Sequence, residues 1–101
     1  MNGHAPSIPA IVVGGETLVL RPSFEALVAA EEELGPLFAL VERAASGGLK
    51  VSEVAALFWF CVRGRPEGVT RERVGEAVAE MGLVRVSPVL RVLLGQILQG
   101  R

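Results

Sequence analysis

Two short apolar stretches parted by a pair of glycines open the pattern of this chain. Ala10-Ile11-Val12-Val13 and Glu16-Thr17-Leu18-Val19-Leu20 flank Gly14-Gly15. A two-residue glycine loop suits a primed hairpin turn, because glycine tolerates the positive φ that such turns require. The loop length sets the register. With Val13 opposite Glu16, the residues Ile11, Val13, Leu18 and Leu20 share one face, which predicts that this face packs on helices. A lone two-stranded hairpin is marginal in water, so its open edges need cover from a helix, a loop or another chain.

From Ser23 onward the periodicity is helical. Ser23 is the expected cap of a first helix, with Glu25 in its first turn and Gly35-Pro36 at its end. Phe24, Leu27, Val28 and Leu34 form its apolar stripe, and Glu31 falls near the middle of that stripe. A carboxylate there needs a partner, and the expectation is a structural one, a backbone amide or an arginine at the edge of the core. A second short helix is expected over about Pro36 to Ala45, with Leu37, Phe38, Leu40 and Val41 apolar and Ser46-Gly47-Gly48 stopping it. Ser52 is the expected cap of a third helix running to about Arg63. Val54, Leu57, Phe58 and Cys61 share one of its faces, while Trp59 and Phe60 point elsewhere, so this helix should be central. Trp59 reads as core, with a partner-binding anchor as the alternative.

Gly64-Arg65-Pro66-Glu67-Gly68 reads as a loop, and Thr70 as the cap of a fourth helix with a Val74, Ala77, Val78 and Met81 stripe ending at Gly82. Ser87-Pro88 is the expected start of the last helix, a cap followed by proline. There Val89, Val92, Leu93 and Ile97 can face the domain, while Leu90, Leu94 and Leu98 make a second strip. Two apolar strips on a terminal helix indicate either a partner or self-association surface or a helix sandwiched inside the domain. The exposed apolar area is expected mainly on this helix. The whole reads as a mostly helical α+β fold, an N-terminal two-stranded β-hairpin packed on four to five short α-helices.

Composition narrows the class. A chain of 101 residues supports one domain; residues 1–7 read as a disordered lead-in and residues 8–101 as that domain. Half the residues are hydrophobic and the mean hydropathy is +0.47, more apolar than a small monomer needs, so some of the surplus should lie outside. The longest apolar run, Val54 to Val62, is far short of a bilayer span. The start lacks a signal-peptide pattern and the lone Cys61 has no partner for a disulfide, both of which point to the cytoplasm. Residues 1–61 hold seven Glu against Arg21, Arg43 and Lys50, and residues 62–101 hold four Glu against seven Arg. Arg63, Arg65, Arg71 and Arg73 are interleaved with Glu67, Glu72 and Glu76, which reads as solvated mixed charge and not as a nucleic-acid stripe.

Chemistry is missing from the pattern. No Cys or His pair stands at ligand spacing, no phosphate loop or dinucleotide motif occurs, and no serine sits in a nucleophile elbow. Cys61 has no basic partner in sequence, with His4 in the lead-in. Catalytic residues, cofactors and metals are therefore not expected, and neither is an enzyme. A small DNA-binding regulator using Thr70 to Met81 or Pro88 to Leu98 is a further alternative, opposed by the glutamates and leucines that stand where base-reading side chains belong.

A hairpin ending in Leu18-Val19-Leu20-Arg21, a helix with Phe24-Glu25-Ala26-Leu27 leading to Glu31-Glu32-Glu33-Leu34-Gly35, and further helices parted by Gly-rich breaks resemble the small tail proteins of gene transfer agents and related siphophages. The resemblance covers roughly residues 10 to 98 and rests on the order of elements. Pro22-Ser23 and the Phe58-Trp59-Phe60 cluster depart from it. Members of that family are described as tail assembly chaperones or tail tube proteins. The resemblance implies a non-catalytic cytoplasmic chaperone that binds the tape measure protein or tail tube subunits. The alternative is a structural tail tube component, a homo-oligomer associated with the virion, which should be richer in strand. Trp59, Leu90, Leu94 and Leu98 are the partner-binding candidates, and Glu31, Ser23 and Ser87 the structural polar residues.

Overall fold

Gly14 and Gly15 sit at φ 58° and 82°, the positive values a type I′ turn demands, and join β1 (Ala10–Val13) to β2 (Glu16–Val19). The computed structural model describes residues 8–100, so the lead-in expected at residues 1–7 lies outside the described residues. Five helices follow: α1 (Phe24–Leu34), α2 (Leu37–Ala45), α3 (Val51–Cys61), α4 (Arg71–Met81) and α5 (Leu83–Gln99). This is a mostly helical α+β fold with an N-terminal hairpin. The strands pair antiparallel with Val13 opposite Glu16 and Ile11 opposite Leu18. The face expected to pack does so: Ile11, Val13, Leu18 and Leu20 are all buried, and β1 lies against α4.

The two edges of the hairpin have different fates. Beyond β2 the chain returns after α3 and pairs with it, Leu20 bridging Val62. The Arg63 amide donates to the Val19 carbonyl at 2.9 Å and the Arg21 amide to the Cys61 carbonyl at 2.7 Å. The chain itself thus covers the β2 edge. On the other side, the Leu20 amide bonds the Pro9 carbonyl, a phase that turns the backbone groups of Ala10 and Val12 outward. Among the described residues no backbone bond reaches them from outside the hairpin.

α3 is the central helix, as its all-round apolarity predicts. Val54, Ala56, Leu57, Phe58 and Cys61 are buried, and α3 packs on both α1 and α4. On α4, Val74, Ala77 and Val78 are buried, with Met81 at the edge of the core. Thr70 and Ser23 both cap, accepting the Arg73 and Ala26 amides at 3.2 Å.

Three helix details differ from the sequence reading. α1 turns its alanines inward: Ala26 and Ala30 are buried, while Phe24 is 81% and Val28 40% exposed. α1 packs on α3, where an Ala face lets two helices approach closely, and the largest residues of α1 fall on the outside. α3 starts one residue before Ser52, at Val51, with Lys50 in the cap position. Ser52 does not cap, because Glu53 accepts the Lys50 amide at 3.0 Å and Arg43 fixes that carboxylate. α5 starts at Leu83, a full turn before Ser87, because Gly82 at φ 81° ends α4 and opens α5 directly. Val86, 2% exposed, extends the core stripe of Val89 and Leu93 one turn toward the N-terminus, and Pro88 falls inside the helix.

Candidate partner-binding groove

α2 carries four large apolar residues on a short helix, and they do not fit on one face. At about 100° per residue, Phe38 and Leu40 lie about 160° apart. Leu40 goes to the core at 1% exposed and Phe38 is left 83% exposed. Leu37 and Val41 stand between them, half-buried, and form one wall of a groove. Leu27 and Glu31 of α1 and Ile97 and Leu98 of α5 complete it, enclosing about 230 Å³. A second groove of about 390 Å³ continues along α5, lined by Val41, Ala44, Ala45, Leu90, Leu94 and Leu98 among others. Val41 and Leu98 belong to both, so the two form one apolar trough flanking α2. Phe24, Val28, Phe38 and Leu98 extend apolar surface at and beyond its mouth.

Glu31 holds the corner that shapes this trough. Pro36 at the head of α2 offers no capping side chain, and the first amide of a helix has no partner within it. The Glu31 carboxylate accepts that amide, from Leu37, at 3.1 Å, with its charge placed favourably at the positive end of the α2 dipole. Of the two partners expected for Glu31, a backbone amide and an arginine, the bond seen is to the amide. Its setting differs from the buried stripe inferred for it: Glu31 is exposed, because the buried face of α1 is its alanine face.

Two ion pairs brace the walls. Arg43 of α2 makes a bidentate pair with Glu53 of α3, at 2.9 and 2.8 Å. That pair, with the Lys50 amide, holds the Glu53 carboxyl down at about 2. Arg71 at the start of α4 pairs with Glu33 near the end of α1 and lowers its pKa likewise. Burial pushes the Cys61 thiol up to about 12, so it is not a poised nucleophile. Among the described residues no group of three or more His, Cys, Asp or Glu side chains could hold a metal ion, and no single helix is long and apolar enough to cross a membrane.

The structure separates the candidate residues read from sequence. Leu98 is 55% exposed at the mouth of the trough, Leu90 is half-buried on its wall, and Leu94 is a core residue at 9%. Trp59 is half-buried against the core, with the Arg65 guanidinium carbon 4.1 Å from its ring centroid, and it lies outside the trough. Ser87 lies in the interior of α5, where its hydroxyl donates to the Leu83 carbonyl at 2.7 Å. The exposed apolar area is not mainly on α5, since Phe24 and Phe38 are among its largest members. Sequence reasoning missed Phe24, Phe38 and Leu37 as surface residues, and the overfull apolar face of α2 was the signal that could have found them.

The chain thus presents a largely apolar trough on a hairpin-and-helices frame. No curated protein and no solved structure matches it. Residues 9–100 match a family described as phage tail tube protein, GTA-gp10. That match spans nearly the whole frame, hairpin, helices and trough together, and the chain belongs to this family of phage and gene-transfer-agent tail proteins.

Proposed function

We propose that this tail protein is an assembly chaperone that shields an apolar helical segment of the tape measure protein, or of tail tube subunits, until the tail forms. The observation that carries the reading is the trough beside α2, with Phe38 standing 83% exposed at its mouth. An apolar groove between helices is the geometry that receives an amphipathic helix, and its contiguous apolar surface is what a lone soluble chain avoids. Co-expression tests it. The tape measure protein encoded with this chain should be recovered soluble and bound to it, and Phe38→Glu should send it to the pellet while this chain stays folded. Recovery of soluble tape measure protein without this chain would end the proposal.

A structural tail tube component is the second reading. It is favoured by the outward backbone groups of Ala10 and Val12, since an open strand edge accepts another strand, and by the family's description. Rings or tubes of the purified chain under negative-stain microscopy would establish it in place of the chaperone.

A further inference from the structure

α1 and α2 carry five glutamates, Glu25, Glu31, Glu32, Glu33 and Glu42, and a single cation, Arg43. The cation is committed to Glu53, and Glu33 is committed to Arg71. Glu25 lines a separate groove with Arg65, and Glu31, Glu32 and Glu42 remain, all exposed, around Val28 and Phe38. The Leu37 amide uses one of the roughly four lone-pair positions of the Glu31 carboxylate and leaves the others open. Across the trough, α5 contributes one charge to the lining, Arg91 in the second groove, and none from Val92 to Gln99. The trough therefore has one acidic rim, on α1 and α2, and one rim without acidic residues, on α5.

We infer that the occupant of the trough is an amphipathic helix of a foreign partner whose apolar stripe is bordered, on the side facing α1 and α2, by lysines or arginines. The inference rests on the chaperone reading and names the chemistry of the segment it would shield. Charge complementarity at a rim sets encounter rate and partner choice while the apolar stripe supplies most of the affinity. The same charges oppose two other occupants. A second copy docking by the same face would offer the acidic rim a single lining cation, Arg91, while bringing its own glutamates into the interface, and a polyanion would be repelled.

Two synthetic amphipathic peptides of about five helical turns, with one leucine stripe and either Lys or Glu borders, are titrated into the chain by fluorescence anisotropy. The Lys-bordered peptide should bind more tightly, and more weakly as salt rises. Phe38→Glu should weaken it roughly 30-fold or more. The triple variant Glu31→Gln, Glu32→Gln, Glu42→Gln should weaken it about tenfold and flatten its salt dependence; the carboxamide oxygen that replaces the Glu31 carboxylate can still accept the Leu37 amide. Equal binding of the two peptides, or a triple variant that binds as the wild type does, overturns the charge inference. A Phe38→Glu chain that still binds peptide overturns the trough as the site, as does a wild-type dimer that Phe38→Glu converts to monomer. These results are separable from the chaperone reading, which stands or falls on whether the wild-type chain keeps the tape measure protein soluble.

Discussion

Leu94 and Leu98 are one helical turn apart on α5, and truncating each to alanine should give different results. Leu94 is 9% exposed and touches the core cluster, whereas Leu98 is 55% exposed. A buried leucine cut to alanine loses its transfer free energy and leaves a cavity, about 2–5 kcal/mol in all. Leu94 borders an open trough into which neighbours can relax, so about 2–3 kcal/mol is expected. Leu98 already has over half its surface in water and leaves no enclosed void, which limits its loss to about 0.5–1 kcal/mol. For a domain of this size each kcal/mol moves the midpoint of melting by about 4–8 °C, so Leu94→Ala should melt roughly 10–20 °C lower and Leu98→Ala only a few degrees lower. Urea and thermal unfolding followed by far-UV circular dichroism measure both. Partner capture should follow the opposite order, with Leu98→Ala weakened more than Leu94→Ala at temperatures where both are folded. Equal losses of stability, or a larger one at Leu98, would refute the division of α5 into a core side and a trough side.

Acid should unfold the chain through its carboxylates. Glu53 has a folded pKa of about 2, below its unfolded value, so its contribution is complete above about pH 4.3 and is lost as pH falls through about 2; Glu33 acts in the same direction. The urea midpoint of the wild type should drop across that window and the Glu53→Gln variant should show a flatter profile, whereas identical profiles would contradict the clamp by Arg43. Cys61, with its thiol raised to about 12 by burial, should resist a thiol reagent in the native chain and react at the rate of opening in urea; rapid native labelling would show that α3 is not central. Pro88→Ala should stabilise the protein by about 1–2 kcal/mol, because an amide at 88 can bond the Val84 carbonyl, partly offset by a freer unfolded chain. A lower melting point for that variant would show that Pro88 is required where it stands.

The register of the hairpin was legible, because a two-glycine loop leaves one pairing and the alternation of side chains along any strand then assigns the faces. The central place of α3 was legible too, since a helix apolar all round has nowhere else to go. The faces of α1 and α2 were not. A helical wheel puts the largest apolar residues inward, but α1 packs on α3 through its alanine face and buries Ala26 and Ala30 instead. Phe24 and Phe38 consequently became surface, and the trough could not be read before the tertiary packing was known. The start of α5 was hidden for a related reason: Ser87-Pro88 has the local form of a helix start, but the burial of Val86 draws the helix back to Leu83. The environment of Glu31 was not legible, since it is exposed and its partner, the Leu37 amide, lies across the Gly35-Pro36 corner and outside its own helix.

Methyl NMR of the chain, titrated with a soluble fragment of the tape measure protein, tests the central claim most directly. The account predicts that the methyl signals of Leu27, Leu37, Val41, Ile97 and Leu98 shift and broaden together, while those of Ile8 and Val12 beside the open strand edge stay in place. Shifts confined to Ile8 and Val12, with the trough methyls unmoved, would contradict it and locate the partner on the hairpin.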